Sequence, residues 1–482
     1  MSNNKRVVSG FIWNLGEKLL IQLIAFVVGL ILARKLGPET YGLIATVSVI
    51  ITLLTVATNL YTGTYLMRKK DVDSLDMNTA FYFSLFVHLI IYLILFFIAP
   101  LIANFYGKPQ LCSLLRVMGI GTLASSFMGI KLVVIVRNYQ YKKLFFASLI
   151  GTLFAGIAGI ILAFTGFGAW ALVAQHCLDG IIDAAILWFA VKWTPKFEFS
   201  FKRLKEMLKY GFPLWLFGIA NSLSSRLQQL IIGKKYSSSD LAFYNRGESF
   251  PSIIESNATS SLNDVLLRRV SEEQDDLNSV RSILRKIIKA SLYISLPAML
   301  GLAAIGHTAI KLLLGDQWLP SVVFMQIFCI AFALKPIEAT SDVALKAVGK
   351  TKHFFGFGLF KKSLFIVGVI CTVPFGTKAI AIGFMASSLL SCIISIIANK
   401  ICFKLGIWSQ ISEIILPFFI SIMMFVFVHR IDLVFANVTP ILVLLAQITC
   451  GILFYVLSLT IFDRKSVLFF RSVFSSLFKR NK

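Results

Sequence analysis

Apolar runs of about twenty residues recur from one end of this chain to the other, and they constrain the fold more than any other feature. FYFSLFVHLIIYLILFFIAPLIANF (81–105) is one of many such runs. Each is long enough to cross a hydrocarbon layer of roughly 30 Å as a helix. Backbone polar groups in lipid must be satisfied internally, so the choice is helices or a closed barrel. No short alternating segments of the barrel kind occur, and the chain reads as an all-α integral membrane protein. The 57% hydrophobic content of the 482 residues exceeds the usual share of about 45–50% in soluble proteins.

About fourteen spans are expected, starting near Phe11, Gly42, Thr79, Leu111, Leu144, Gly168, Gly211, Leu241, Ile287, Leu319, His353, Ala379, Ile411 and Thr439. Gly37-Pro38, Pro374 and Pro440 punctuate span ends. The first run, Phe11 to Ala33, is too long for a signal peptide and carries Glu17 and Lys18, so it reads as a first transmembrane helix. The formal net charge is +24. In a membrane protein this excess belongs to cytoplasmic loops and does not point to nucleic acid. The basic loops 192–209 and 268–289 and the basic amphipathic tail 464–482 all fall on one side, which places both termini in the cytoplasm. Phe470, Phe474, Leu477 and Phe478 share a face of that tail. The seven cysteines are scattered without a C-x-x-C pair, so neither a metal site nor a disulfide framework is expected.

The chain also repeats itself at an offset of about 200 residues. SGFIWNL (9–15) parallels YGFPLWL (210–216), and ARKLGPETYGLI (33–44) aligns with GKKYSSSDLAFY (233–244). NFYGKPQL (104–111) follows the same order as LLLGDQWL (312–319), and RNYQYKK (137–143) as GKTKHFF (349–355). Six spans per copy make a parallel repeat. The expectation is an N-terminal six-helix lobe (1–200), a C-terminal six-helix lobe (201–405), two extra helices (406–463) and the tail, with a central cavity between the lobes.

Polar residues inside the spans are the candidates for function, because each costs free energy in lipid. Asn14, Lys18 and Gln22 share a face of span 1, with Glu17 nearby. In span 7, Ser222, Arg226 and Gln229 share one face, and Asn221, Ser225 and Gln228 the next. Arg246, Asn257, Ser261 and Asp264 line span 8, where Gly247 and Pro251 are expected to loosen the helix. Arg226, Lys18, Arg246, Gln22, Asn221, Gln229 and Asn257 form a cationic candidate binding set, suited to a phosphate-bearing anion. Interhelical hydrogen bonding is the alternative for the neutral members. Two mixed stripes remain. His176, Asp179 and Asp183 line span 6, and Lys335, Glu338, Asp342 and Lys346 line span 10. His176, Asp179, Asp183, Glu338 and Asp342 are candidates for coupling to H+ or Na+, with packing or ion pairing along the helix as the alternative. Lys131 and Lys361-Lys362 are further cations, able to snorkel to an interface.

GLILARKLGPETYGLIA (29–45), GFGAWALVAQ (166–175), FYNRGESFPSII (243–254) and LLLGDQWLPSVVFMQIF (312–328) resemble motifs of a known family. This is the polysaccharide-exporter branch of the multidrug/oligosaccharidyl-lipid/polysaccharide flippases, and the likeness is greatest to O-antigen, colanic-acid and teichuronic-acid exporters. Leu266-Leu267-Arg268-Arg269 departs from the family, which usually has Phe-Pro there, and this bears on the end of span 8. The resemblance implies fourteen helices. It implies a flippase, not an enzyme, moving undecaprenyl-pyrophosphate-linked oligosaccharide across a bacterial cytoplasmic membrane by alternating access. It implies no cofactor beyond a coupling H+ or Na+. Its partners would be lipid-linked oligosaccharide, membrane lipids, and polysaccharide polymerase and chain-length machinery. Two other functions compete: a multidrug cation antiporter on the same fold, which needs cavity carboxylates, and a membrane glycan polymerase or ligase, which needs longer outer loops than these.

Overall fold

The computed structural model describes residues 3–434 and 438–464, with side chains except those of 3–12, 14, 15, 17–19, 258–265, 268 and 432–434. The tail face at Phe470–Phe478 lies outside the described residues. Every long element is helical. The chain forms two compact units, Met1–Ala242 and Phe243–Lys482.

The first unit holds α1 (Asn3–Thr58), α2 (Thr62–Arg68), α3 (Ser74–Tyr106), α4 (Gln110–Arg137), α5 (Tyr141–Phe164), α6 (Ala169–Ala190) and α7 (Phe201–Lys235). α8 (Ser238–Glu272) leads into the second unit, which continues with α9 (Leu277–Leu314), α10 (Ser321–Ala333), α11 (Lys335–Ala347), α12 (Thr351–Thr372), α13 (Thr377–Phe403), α14 (Ile407–Val434) and α15 (Pro440–Phe462).

α1 contains two spans. Gly37 adopts φ 74° and ψ 171°, outside helical geometry, and Pro38 follows it. Glycine tolerates that φ and proline removes a helix hydrogen bond, so the rod kinks where the sequence punctuates it. Among the described residues, eleven stretches are long and apolar enough to cross a membrane, the first being Leu20–Thr58 with the kink inside it. α7 and α8, at 35 residues each, are long enough but too polar to meet the same criterion. Counting both legs of α1 and these two polar helices among the described residues gives a number in line with the expectation of about fourteen spans.

Span 10 departs from expectation. It consists of α10 and α11, 13 residues each, with the break at Leu334. Pro336 in the first turn of α11 is the physical reason. Its ring cannot continue a helix from the residues before it but suits the start of a new one. Span 8 departs in the opposite sense. α8 runs unbroken through Gly247 and Pro251 to Glu272. Gly247 serves close packing there, since a Cβ would stand 2.5 Å from Phe324 Cβ and 2.8 Å from Met325 N. Leu266 and Val270 pack with Leu284 and Phe403, and the helix continues through Leu266–Arg269.

Helices in a bilayer gain little from the hydrophobic effect on pairing, so close packing of small residues takes its place. α5 shows this clearly. Its buried face is Ala147, Gly151, Thr152, Ala155, Gly156, Gly159 and Ala163. A Cβ on Gly156 would come within 2.8 Å of Val28 Cγ2, and one on Gly159 within 3.1 Å of Gln175 Cβ. Large apolar side chains such as Phe97, Leu101, Phe154 and Ile161 stay exposed, as suits a lipid-facing surface.

Candidate functional site

In the first unit the candidate site is the polar middle of α7. The helix persists through its serines because their hydroxyls bond back along it. Ser224 Oγ donates to Ala220 O at 2.8 Å and Ser225 Oγ to Asn221 O at 2.9 Å. Both ends of α7 are tied down. Trp215 Nε1 donates to Ala57 O at 2.8 Å, and Gly211 leaves room for the carbonyl of Leu60. At the other end Tyr106 Oη donates to Leu230 O at 3.5 Å, and Lys234 donates to Phe105 O.

Between these anchors Asn221, Leu223 and Ser225 are exposed and Arg226 is half-buried. Arg226 Nη1 donates to Gln229 Oε1 at 3.2 Å. Gln228 and Gln229 are buried on the side that turns into the unit. No carboxylate lies within ion-pair distance of Arg226 among the described residues. A planar guanidinium with one neutral partner retains donors for an anion. On α1, Gln22 is half-buried, while the side chains of Asn14, Glu17 and Lys18 lie outside the described residues.

In the second unit, Arg246 lies over the Trp318 ring, 5.4 Å from its centroid. Tyr244, fully buried beside it, meets Phe324 and Phe328 edge-on. Asn257 is exposed and its Nδ2 donates to Ile253 O at 2.8 Å. Ser261 and Asp264 have side chains outside the described residues.

The span 10 stripe does not pair along its own helix. Lys361 of α12, with its side chain 7% exposed, reaches Asp342 Oδ1 at 3.1 Å and Glu338 Oε1 at 3.3 Å. Lys335 instead approaches Glu255 of α8 at 3.8 Å, and Lys346 lies over Phe354. The break at Leu334 places the two carboxylates in the first turns of α11, facing α12. Two carboxylates thus share one ammonium, and the trio carries an excess negative charge when fully ionised.

On α6, Asp179 Oδ1 accepts from Thr152 Oγ1 of α5 at 3.0 Å, and Asp183 packs over Gly151. His176 is exposed. The two carboxylates therefore face the tightly packed α5–α6 contact.

Two charged centres of the first unit differ from the sequence expectation: Lys131, expected to snorkel to an interface, and Asp76, which was not among the candidates. Lys131 is fully buried, and its ammonium donates to Trp188 O at 3.1 Å, Val191 O at 2.8 Å and Trp193 O. It closes the carbonyl end of α6, with the Trp188 ring 4.6 Å away, and does not snorkel. Asp76, also buried, holds Lys69 at 2.5 Å and Arg203 at 3.1 Å, and Arg203 reaches Asp73 at 3.0 Å. The Asp76 backbone N–H, with help from Arg203 and Lys69, holds the Asp73 carboxyl below its ordinary value. The D-x-x-D spacing at 73–76 is a capping-box signal that sequence reading passed over. Lys131 carries no such local signal, because its partners lie about sixty residues away. Among the described residues, no cluster of His, Cys, Asp and Glu is arranged to hold a metal ion.

Residues 31–323 match the family described as polysaccharide biosynthesis protein. The chain is 24% identical to the succinoglycan biosynthesis transport protein ExoT of Rhizobium meliloti, covering 74% of this chain and 73% of that one. It is 22% identical to the lipopolysaccharide biosynthesis protein WzxC of Escherichia coli, covering 88% and 87%. Its fold is similar to the lipid II flippase MurJ in an inward closed conformation, with a TM-score of 0.76 at 16% identity, covering 95% and 100%.

Proposed function

The chain belongs to the polysaccharide biosynthesis protein family, and from that premise we propose that it is a flippase for lipid-linked oligosaccharide. The substrate would be an oligosaccharide repeat unit on undecaprenyl pyrophosphate, moved across a bacterial cytoplasmic membrane by alternating access. Both termini then lie in the cytoplasm, and a polysaccharide polymerase and its chain-length machinery take the product on the far side. The division into 1–200, 201–405, 406–463 and tail is the repeat-based arrangement that this reading carries.

The observation that carries the proposal is Arg226. It sits half-buried on a polar face of a membrane helix, with Gln229 as partner and no carboxylate among the described residues. An ionised group in that position is costly unless water or an anion meets it. A diphosphate supplies oxygen acceptors in the geometry that a guanidinium fork prefers. ExoT and WzxC, by their names, serve succinoglycan transport and lipopolysaccharide biosynthesis, and the MurJ likeness supports a fold able to pass a large lipid-linked substrate. In the same reading, Glu338, Asp342 and Lys361 form the coupling centre, where a proton or Na+ neutralises the surplus carboxylate charge. The cation-antiporter reading has no comparable support from α7, whose polar face presents an arginine.

The test is reconstitution. Purified protein in liposomes should move a fluorescent pyrophosphate-linked oligosaccharide between leaflets, read by its accessibility to a soluble glycosidase. A glycan that lengthens during incubation would instead mark a polymerase, and uptake of a cationic dye without lipid movement an antiporter.

A further inference from the structure

A cavity of about 460 Å³ opens where α4 and α6 end, and no residue of α7 lines it. Its walls are the last turn of α4, the α4–α5 turn, Val191–Trp193, and Val72 with Met77. Three cations line it, Arg137, Lys143 and Lys192, and no carboxylate does among the described residues. Of the acids flanking Val72 and Met77 in sequence, Asp73 and Asp76 are taken by Lys69 and Arg203, and the exposed Asp71 does not line the cavity.

The charge on these cations is not cancelled locally. Arg137 donates three of its five N–H groups to the carbonyls of Leu66, Lys69 and Lys70 at 2.7–2.8 Å, partners that leave its full positive charge. Buried Lys131, also held by carbonyls alone, is near enough to Lys143 to repel it. A concave site bordered by this many cations focuses a positive potential.

The remaining wall is apolar, made by Val133, Val134, Val191 and the half-buried Trp193. The cavity also sits at a membrane boundary. α4, α5 and α6 are all apolar enough to span, Arg137 lies in the last turn of α4, and Lys192 follows the last turn of α6. Phe189 and Phe197, on either side of Lys192 in sequence, are 86% and 99% exposed, as suits side chains dipping into an interface. A soluble phosphate would use only the cations. A phospholipid uses both surfaces at once, its phosphate against Lys143 and Lys192 and its glycerol and upper acyl chain against Trp193 and the valines.

We propose that this cavity is a binding site for the headgroup of an anionic phospholipid from the surrounding leaflet, separate from the path of the transported substrate. A lipid seated there joins the ends of α4 and α6 to the segment that leads into α7. That segment is already fastened by Lys131 and by Asn78, whose Oδ1 accepts from Lys196 N at 3.2 Å.

The test is native mass spectrometry of the full-length purified protein with phosphatidylglycerol or phosphatidylcholine of matched acyl chains. Wild type should retain phosphatidylglycerol preferentially. Lys143→Ala and Lys192→Ala should each reduce that preference about fivefold, and the double variant should abolish most of it. Both side chains reach solvent, and an unchanged melting temperature checks the fold. Lys143→Arg with Lys192→Arg should keep the preference. Excess inorganic phosphate should leave the lipid bound. Equal retention of the two lipids, an unchanged preference in the double alanine variant, or displacement of the lipid by phosphate would each overturn the proposal.

Discussion

Arg226 on α7 and Lys361 on α12 are both basic side chains inside membrane helices, and the protein treats them in opposite ways. Lys361 is nearly sealed and holds two carboxylates, Asp342 at 3.1 Å and Glu338 at 3.3 Å. Arg226 is half-buried and holds one neutral amide, Gln229 at 3.2 Å. A buried cation with acids around it is neutralised by the fold. A cation with only an amide leaves its charge for something that arrives. The first arrangement therefore bears on stability and, in the proposed coupling, on ion occupancy, while the second is the proposed contact for the substrate anion.

The contrast breaks most visibly at Lys361. Lys361→Ala leaves two carboxylates facing each other without their ammonium. Removing one partner of a buried pair costs about 3–5 kcal/mol, and the partial exposure of Glu338 and Asp342 puts this case near the lower figure. The melting temperature in detergent should fall sharply, and the triple variant Lys361→Ala/Glu338→Gln/Asp342→Asn should recover much of the loss. A single variant as stable as wild type would show that the trio is not coupled.

Lys131 sharpens the comparison, since it is fully buried yet partnered only by backbone carbonyls. Lys131→Met keeps the length and loses the donors at the end of α6. A destabilisation of about 1–3 kcal/mol is expected, smaller than at Lys361 because no charge is left unpaired. Thermal unfolding of the two variants side by side decides the order, and Lys131→Met as the more damaging change would reverse it.

The smallest effect concerns the ion pairs outside the membrane. Asp73 has its carboxyl held below the ordinary value by the Asp76 N–H and Arg203. A lowered folded value means that its contribution is present above the ordinary carboxylate range and is lost as pH falls through the folded value. Asp73→Asn should therefore cost slightly at pH 7, and its deficit relative to wild type should shrink in acid, read as melting temperature against pH. A deficit that grows in acid would contradict the assignment. Since Asp73 is largely exposed, solvent screening keeps this effect well below the other two.

Much of the fold was legible because membrane helices advertise themselves. Apolar length gave the spans, and Gly37-Pro38 gave the kink in α1. The Lys335-Pro336 break was equally readable from proline's missing N–H, but the unbroken hydropathy of 321–334 hid it. Gly247 misled in the other direction: one sequence does not distinguish a glycine that bends a helix from one that lets Phe324 approach. Within the candidate site, helical spacing identified the Ser222–Arg226–Gln229 face of α7. It did not identify partners across helices. Lys361 meets acids about twenty residues back, and Lys131 meets carbonyls about sixty residues on, at separations set by how spans stack. Charge pairing along one helix has a sequence period, whereas charge pairing between helices has none.

The measurement that bears most directly on the account is leaflet-to-leaflet movement of pyrophosphate-linked oligosaccharide by purified Arg226→Ala in liposomes, with Arg226→Lys alongside. The substitution removes no ion pair seen among the described residues, so its melting temperature should stay close to wild type, within about 0.5 kcal/mol of stability. Arg226→Ala is expected to abolish transport at normal incorporation and Arg226→Lys to restore only part of it, because lysine keeps the charge and loses the fork. Wild-type transport by Arg226→Ala would contradict this, and would leave Arg226 as a packing residue bonded to Gln229.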